Sequence, residues 1–178
     1  LTTLESEWFT GANGTLEYLD VSFNKIHTLT ENSLGALGNL EFLYLDGNNF
    51  TSITENSFAL LHKINLLAIR DSRLTEFNPN WFSVNSTLRF LHLDGNLITS
   101  LPAGAFDVFV NLSVVNLNRN QLTVLNSNSF ERVFSTLTAF YAMNNQINAI
   151  DSRILDGVET LNNLFLLSNV CVSQNFLG

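Results

Sequence analysis

Several features that would place this chain of 178 residues in a familiar class are missing from it. It contains one cysteine, which excludes an internal disulfide framework and a cysteine-based zinc site. Charged residues make up only 13% and hydrophobic residues 46%, a balance that excludes intrinsic disorder. No apolar run approaches the length of about 18 residues that a membrane span requires. The length predicts one domain or part of a longer repeat array.

Positive charge is also scarce. Eight Lys and Arg residues stand against sixteen Asp and Glu, which gives a net charge of −8, and only two of the eight are lysine. Such a chain lacks the basic surface that binds nucleic acid or an anionic membrane, so we expect neither a nucleic-acid partner nor membrane insertion. Two residue types are abundant instead: 25 asparagines and 15 phenylalanines.

An apolar frame that recurs about every 24 residues accounts for the abundance of asparagine and of phenylalanine. Its first complete copy follows the pattern L-x-x-L-x-L-x-x-N-x-L from Leu16 to Ile26. The asparagine position of the frame returns in seven copies as Asn24, Asn48, Ser72, Asn96, Asn120, Asn145 and Asn169. A bulky position later in each unit is filled by Phe9, Leu34, Phe58, Phe82, Phe106, Phe130 and Leu155.

The frame predicts an α/β-type repeat. Alternating side chains give each unit a short strand, and stacked units form a parallel β-sheet on the concave face of a curved solenoid of about seven repeats. An asparagine amide has two donors and one acceptor, so the asparagine column predicts a ladder that satisfies the backbone where the chain leaves the strand. Ser72 interrupts this ladder. The phenylalanines predict a second spine on the convex side.

This frame resembles the leucine-rich repeat family over essentially the whole chain. The segment Leu101–Phe106 is similar to the second half of the 24-residue repeat of extracellular members. The chain also looks like secreted arthropod innate-immune members and Toll-like receptor ectodomains. The resemblance implies a secreted protein or the extracellular domain of a surface receptor, acting in innate immunity.

The repeat frame divides the chain into three parts. Residues 1–15 form an incomplete N-terminal repeat, residues 16–171 the repeat array, and residues 172–178 the end of the array or the start of a C-terminal cap. Because the first unit lacks its strand, we expect the natural protein to extend upstream. Cys171 is either a buried free thiol or a disulfide partner of a residue outside this sequence.

Four N-x-S/T sequences mark candidate glycosylation sites. They begin at Asn13, Asn49, Asn85 and Asn111. Random pairing of the 25 asparagines with the 31 serines and threonines predicts about as many, so their number carries no information. Three of them precede the first leucine of a frame and lie outside the ladder, where a glycan could be accommodated.

Residues between the inward-facing positions of each strand face the concave side. Aligning the repeats places five apolar residues side by side, here called the aromatic patch: Tyr18, Phe42, Tyr44, Leu66 and Phe90. Exposed aromatic residues are enriched at binding hot spots, so we interpret the patch as a partner-binding surface. The alternative is that cross-strand aromatic pairs only stabilise the sheet.

Polar residues extend the candidate site. Arg70 is bracketed by Asp46 and Asp94 on the flanking repeats, which predicts either a surface charge ladder or a polar rim that orients the partner. Concave positions also hold further candidate contacts, namely Asp20, His92 and Tyr141. Asp46 and Asp94 lie two strands apart with a guanidinium between them, so we expect no metal site.

Nothing in the sequence indicates catalysis. The histidines His27, His62 and His92 occupy three different repeat positions, and no phosphate-binding loop, H-E-x-x-H or paired-cysteine motif occurs. We therefore expect no enzyme and no cofactor. The predicted function is extracellular binding of a protein partner, such as another leucine-rich repeat chain or an immune factor, on the concave face. The alternative is a matrix or adhesion scaffold that self-associates.

Overall fold

The computed structural model describes residues 1–12, 14–133 and 135–170, together with the backbone of 176–177. Ten short strands are numbered here in chain order: β1 (Tyr18–Asp20), β2 (Phe42–Tyr44), β3 (Leu66–Ala68), β4 (Phe90–His92), β5 (Val114–Asn116), β6 (Val124–Leu125), β7 (Ala139–Tyr141), β8 (Ala149–Asp151), β9 (Asn163–Phe165) and β10 (Phe176–Leu177). Seven of them form one sheet in the order β1-β2-β3-β4-β5-β7-β9, and β10-β8-β6 form a second. The prediction of a repeat solenoid is confirmed, with about six turns between the first and last strands of the main sheet.

Every pairing in the main sheet is parallel and offset by one repeat. Tyr18 lies opposite Phe42, Phe42 opposite Leu66, and Leu66 opposite Phe90. The step from β5 to β7 is one residue longer, because the repeat between them contains an additional residue. The columns read from the sequence are therefore the true cross-strand neighbours.

The core lies directly behind this sheet. The middle residue of each strand points inward, and Leu43, Leu67, Leu91 and Val115 are fully buried. Burial decreases towards β9, where Leu164 is 39% exposed. An apolar cavity of about 180 Å³ lies beside it, between the last turns of the core.

The asparagine ladder is present as predicted. Asn96 is representative: its Nδ2 donates to the carbonyl oxygens of Ile69 (2.7 Å) and Leu93 (3.0 Å), and its Oδ1 accepts from the N–H of Leu74 at 3.1 Å. Four other asparagines also donate to at least two carbonyls and accept from an N–H of the preceding repeat: Asn48, Asn120, Asn145 and Asn169. Ser72 instead donates its hydroxyl to the carbonyl of Asn48 at 3.2 Å.

The convex side carries turns rather than a layer of α-helices. The helices in the described part of the chain are three short 3-10 helices, Ser6–Phe9, Pro79–Trp81 and Ser127–Ser129. Hydroxyl groups stabilise the turns locally, as where Ser57 donates to the carbonyl of Thr54 at 2.8 Å. The predicted phenylalanine spine is confirmed, with ring centroids 5.3 Å apart for Phe58 and Phe82.

Some predictions concern residues outside the described part. These are the state of Cys171, the role of segment 172–178, apart from the backbone of β10, and the glycosylation site Asn13. Among the residues that are described, no helix is long and apolar enough to cross a membrane.

Candidate partner-binding surface

In all seven repeats the chain leaves the main sheet through a residue in the left-handed backbone region. We call these residues the rim column: Phe23, Gly47, Asp71, Gly95, Arg119, Asn144 and Ser168, with φ between 49° and 73°. This region is unfavourable for residues other than glycine and is costly for a bulky side chain. Every non-glycine member of the column is exposed, so the turn presents its side chain at one edge of the concave face.

The structure brings the N-terminal members of the aromatic patch into contact. The ring centroid of Tyr18 lies 5.2 Å from that of Tyr44 and 6.4 Å from that of Phe42. Tyr18 is 55% exposed, whereas Phe42 and Tyr44 are half-buried. Leu66 continues the surface on β3. The patch is therefore contiguous, as the alignment of the repeats predicts.

Phe23 lies beside this surface in the rim column, and the alignment of the repeats does not predict it as a site residue. It is 84% exposed and its φ is 55°. Its ring lies over Gly47, because a Cβ atom at Gly47 would come within 2.6 Å of Phe23 Cδ1. The sequence does contain a signal, since glycine occupies the equivalent position in the next repeat. A bulky aromatic side chain at a left-handed backbone position is costly, which makes Phe23 a candidate for a role other than folding.

A network of ion pairs borders the patch, formed by residues that follow the C-terminal ends of strands β2 to β5. Arg70 Nη1 lies 3.4 Å from Asp46 Oδ2, and Arg70 Nε lies 3.4 Å from Asp94 Oδ1, as the sequence predicts. Arg119, which was not predicted, places Nη2 at 3.1 Å from both Asp94 Oδ2 and Asp71 Oδ1. We call these five residues the charged cluster. Burial raises the pKa of Asp46, while the hydrogen bond from the Arg70 backbone N–H opposes the shift.

His92 lies beside this cluster on β4. Its Nδ1 is buried and has no hydrogen-bond partner. Burial lowers the pKa of His92, Arg70 lowers it further, and Asp94 opposes the shift. The ring is therefore neutral at neutral pH. His27 and His62 are exposed at other positions of their repeats.

Two of the predicted site residues lie away from the centre of the patch. Tyr141 is on β7, four strands from Tyr44, which corresponds to about 19 Å at the usual strand spacing. Tyr141 instead stacks on Phe165, with ring centroids 5.1 Å apart and planes 4° from parallel. Phe90 is on β4 at the far edge of the patch, and the Arg89 guanidinium lies 5.6 Å from its ring centroid.

The remaining candidates are placed as follows. Asn49, Asn85 and Asn111 are exposed, so a glycan could reach each of them. Glycosylation itself stays a prediction.

Within residues 1–12, 14–133 and 135–170, no three histidine, cysteine, aspartate or glutamate side chains form a group that could hold a metal ion.

Comparison with solved structures places this geometry among known proteins. A crystal structure of a TLR13–ssRNA13 complex matches with a TM-score of 0.87 and 24% identity over 95% of this chain and 24% of that chain. The Toll–Spätzle complex, described as a hub in Drosophila development and innate immunity, matches with a TM-score of 0.75 and 23% identity over 95% of this chain and 25% of that chain. An octameric complex of latrophilin 3, Unc5D and the leucine-rich repeats of FLRT2 matches with a TM-score of 0.69 and 30% identity over 74% of this chain and 40% of that chain.

These three chains are longer than the present one, which spans between about a quarter and two fifths of their length. A comparison with curated protein sequences finds no significant match. The sequence model described as leucine rich repeat matches residues 1–50, 43–98 and 86–135, which together cover about three quarters of the chain. The repeat frame, the asparagine ladder and this match agree, and the chain belongs to the leucine-rich repeat family.

Proposed function

We propose that this chain is the recognition module of an extracellular leucine-rich repeat protein and binds a protein partner on its concave face. The observation that carries the proposal is the aromatic surface formed by Tyr18, Phe42 and Tyr44, with the exposed ring of Phe23 beside it in the rim column. Phe23 is 84% and Tyr18 55% exposed, although both are large and partly apolar. Aromatic residues of this kind supply binding energy at interfaces with little loss of side-chain entropy.

The solved relatives support a protein as the ligand class. Two of the three similar structures are protein complexes, Toll with Spätzle and FLRT2 with Unc5D and latrophilin 3. The similarity of this chain to Toll also supports a role in innate immunity. The extracellular location rests on the resemblance of the repeats to those of extracellular members.

RNA is a weaker candidate for this chain. The TLR13–ssRNA13 complex shows that an RNA complex is compatible with the fold, so the fold does not exclude it. The net charge of −8 argues against it here, because RNA binding depends on lysine and arginine contacts to phosphates. The expectation that the chain binds no nucleic acid therefore rests on its charge alone.

The proposal is tested by paired affinity capture from extracellular fluid of the source organism. The wild type, a Tyr18→Glu/Tyr44→Glu variant and a Val84→Glu control serve as baits. Val84 is 78% exposed and lies outside the main sheet, so the control adds the same kind of charge away from the patch. Circular dichroism and thermal unfolding establish that all three baits are folded.

We expect a protein that is retained by the wild type and the control and lost by the patch variant. Identical capture by all three baits would contradict the proposal and leave the aromatic residues as sheet packing. Nuclease treatment of the eluate shows whether RNA is retained. The alternative, a self-associating scaffold, predicts a molar mass that rises with protein concentration in sedimentation, and loss of that rise in the patch variant.

A further inference from the structure

Three acidic residues border the N-terminal half of the aromatic patch. Glu17 immediately precedes Tyr18, Glu41 immediately precedes Phe42, and Asp20 lies opposite Tyr44 in the register of β1 and β2. Glu17 and Asp20 are exposed and Glu41 is half-buried. Each of the two strands that carry the ring contacts of the patch is therefore preceded by a carboxylate, and β1 also ends in one.

These carboxylates have no cationic partner of their own. Within the described ranges 1–12, 14–133 and 135–170, none of the three lies within 4.0 Å of a basic group, whereas Asp46 and Asp94 both pair with Arg70. Asp20 Oδ1 accepts one hydrogen bond, from the N–H of Ser22 at 2.9 Å. The basic groups on the concave side of the next repeats are already engaged, Arg70 in the charged cluster and Arg89 over the Phe90 ring.

The arrangement does not help the isolated fold. Glu17 and Glu41 occupy equivalent positions of adjacent repeats, and the N–H of Glu41 donates to the carbonyl of Glu17 at 2.8 Å. Like charges on neighbouring strands destabilise a sheet slightly when no counter-charge lies between them. Phe23, in the same repeat as Glu17, adds a bulky side chain at a left-handed backbone position. A partner that covered the surface with apolar groups and positive charge would offset both costs.

The chemistry of the surface fits a cation. The faces of the aromatic rings attract lysine and arginine side chains, and the surrounding carboxylates supply the opposite charge. Partial desolvation raises the pKa of Tyr18, and the negative charge of Asp20, two residues further along β1, raises it further. Apolar contact and negative potential therefore coincide at one place.

Charge also distinguishes between the possible binding partners of this surface. A second copy of the chain, docked symmetrically on this face, would bring Glu17, Asp20 and Glu41 against the same three residues. A nucleic acid would bring phosphates against them. We infer that the partner docks on this surface with a segment that carries lysine or arginine next to apolar side chains, an inference that rests on the proposed function of the patch. Complementary potentials of this kind set partner choice and association rate more than they set total affinity.

The inference is tested by selecting short random peptides, displayed on phage, for binding to the folded chain. Each enriched peptide is then assayed against a Tyr18→Ala/Phe23→Ala variant and against a Val84→Ala control. We expect peptides that bind the wild type and the control but not the patch variant, and we expect these patch-dependent peptides to be rich in lysine and arginine. Patch-dependent peptides that are neutral or acidic would overturn the inference and leave the proposed function intact. A selection without any patch-dependent peptide would count against both.

A charge-matched pair of variants separates the local carboxylates from the overall charge. One variant combines Glu17→Gln, Asp20→Asn and Glu41→Gln, and the other combines Glu131→Gln, Asp156→Asn and Glu159→Gln. Each removes three negative charges and changes the net charge from −8 to −5. The second set is exposed and lies outside the main sheet.

We expect the first variant to bind the patch-dependent peptides about tenfold more weakly, as three lost rim pairs would predict. We expect the second to bind them nearly as the wild type does. Added salt should weaken wild-type binding and have less effect on the first variant. Equal weakening in both variants would show that only the overall negative charge matters and would overturn the inference.

Discussion

The asparagine ladder makes the sharpest quantitative prediction, for Asn96→Ala. Asn96 is in the fourth of seven repeats and is 3% exposed. Its amide makes three buried hydrogen bonds, all to backbone groups, namely those of Ile69, Leu93 and Leu74. Alanine removes the three bonds together and offers nothing in their place.

The magnitude follows from those bonds. A typical hydrogen bond contributes a net of about 0.5–1.5 kcal/mol, and a buried group left without a partner costs about 1–3 kcal/mol. From the sequence alone we expect a loss of roughly 1–3 kcal/mol on the same grounds. Three simultaneous losses place the expected decrease in unfolding free energy at the upper end, about 3 kcal/mol. For a chain of this size that corresponds to a decrease in melting temperature of about 6–12 °C.

The measurement is urea unfolding and thermal melting followed by circular dichroism. Asn126→Ala is the matched control, because Asn126 is exposed and its side chain makes no capping bond. Asn24→Ala should have an intermediate effect, since Asn24 is only partly buried while its Nδ2 still donates to the carbonyls of Val21 and Ser22. Equal stability of Asn96→Ala and the wild type would refute the argument that the ladder satisfies buried backbone groups.

Three further predictions concern single positions. Ser72→Asn should raise the free energy of unfolding by about 1 kcal/mol in the same urea assay. Ladder asparagines accept from an N–H of the preceding repeat, and for position 72 the equivalent group is the N–H of Phe50. A decrease in the free energy of unfolding would show that the turn has adapted to serine. Phe23→Gly should weaken partner binding without lowering the melting temperature. The unfolding free energy should fall as the pH decreases below 6.5, because the unfolded chain then takes up a proton that half-buried His92 resists. His92→Gln should flatten this dependence whereas His27→Gln, at an exposed site, should not; the same slope in both variants would refute the assignment.

The sequence predicts the sheet well because one physical rule determines both the fold and the columns. Side chains alternate along a strand, so the inward leucines identify which residues face outward. The repeat length then determines the register, and Tyr18, Phe42 and Tyr44 come together as expected. The single longer repeat between β5 and β7 is visible as a one-residue shift of the frame.

The charged cluster shows where this reasoning stops. Aligned repeats predict which backbone positions are neighbours across the sheet, so they predict the pairing of Arg70 with Asp46 and Asp94. They do not give the reach of a long side chain. Arg119 begins in the turn after β5, yet its guanidinium contacts Asp94 of the preceding repeat and Asp71 of the repeat before that. That contact depends on side-chain conformation rather than on spacing.

The rim column shows why stability and recognition can be separated in this molecule. Each rim residue immediately precedes a ladder position. In the first repeat, one turn therefore holds the amide of Asn24, which bonds the backbone, and the side chain of Phe23, which faces solvent. A left-handed backbone costs a residue other than glycine about 1–2 kcal/mol, and Gly47 shows that the turn forms with glycine. Phe23 therefore opposes the backbone preference while 84% of its surface is exposed.

Replacing Phe23 with glycine should relieve that strain by up to about 1 kcal/mol, offset in part by the lost contact with Gly47. Binding of a patch-dependent partner should weaken at the same time, because the most exposed ring of the surface is removed. Thermal melting and titration calorimetry on the same preparation measure both quantities. If stability and binding fell together, Phe23 would be a packing residue of the first repeat. If stability is kept and binding falls, this position has been shaped by a partner rather than by the fold.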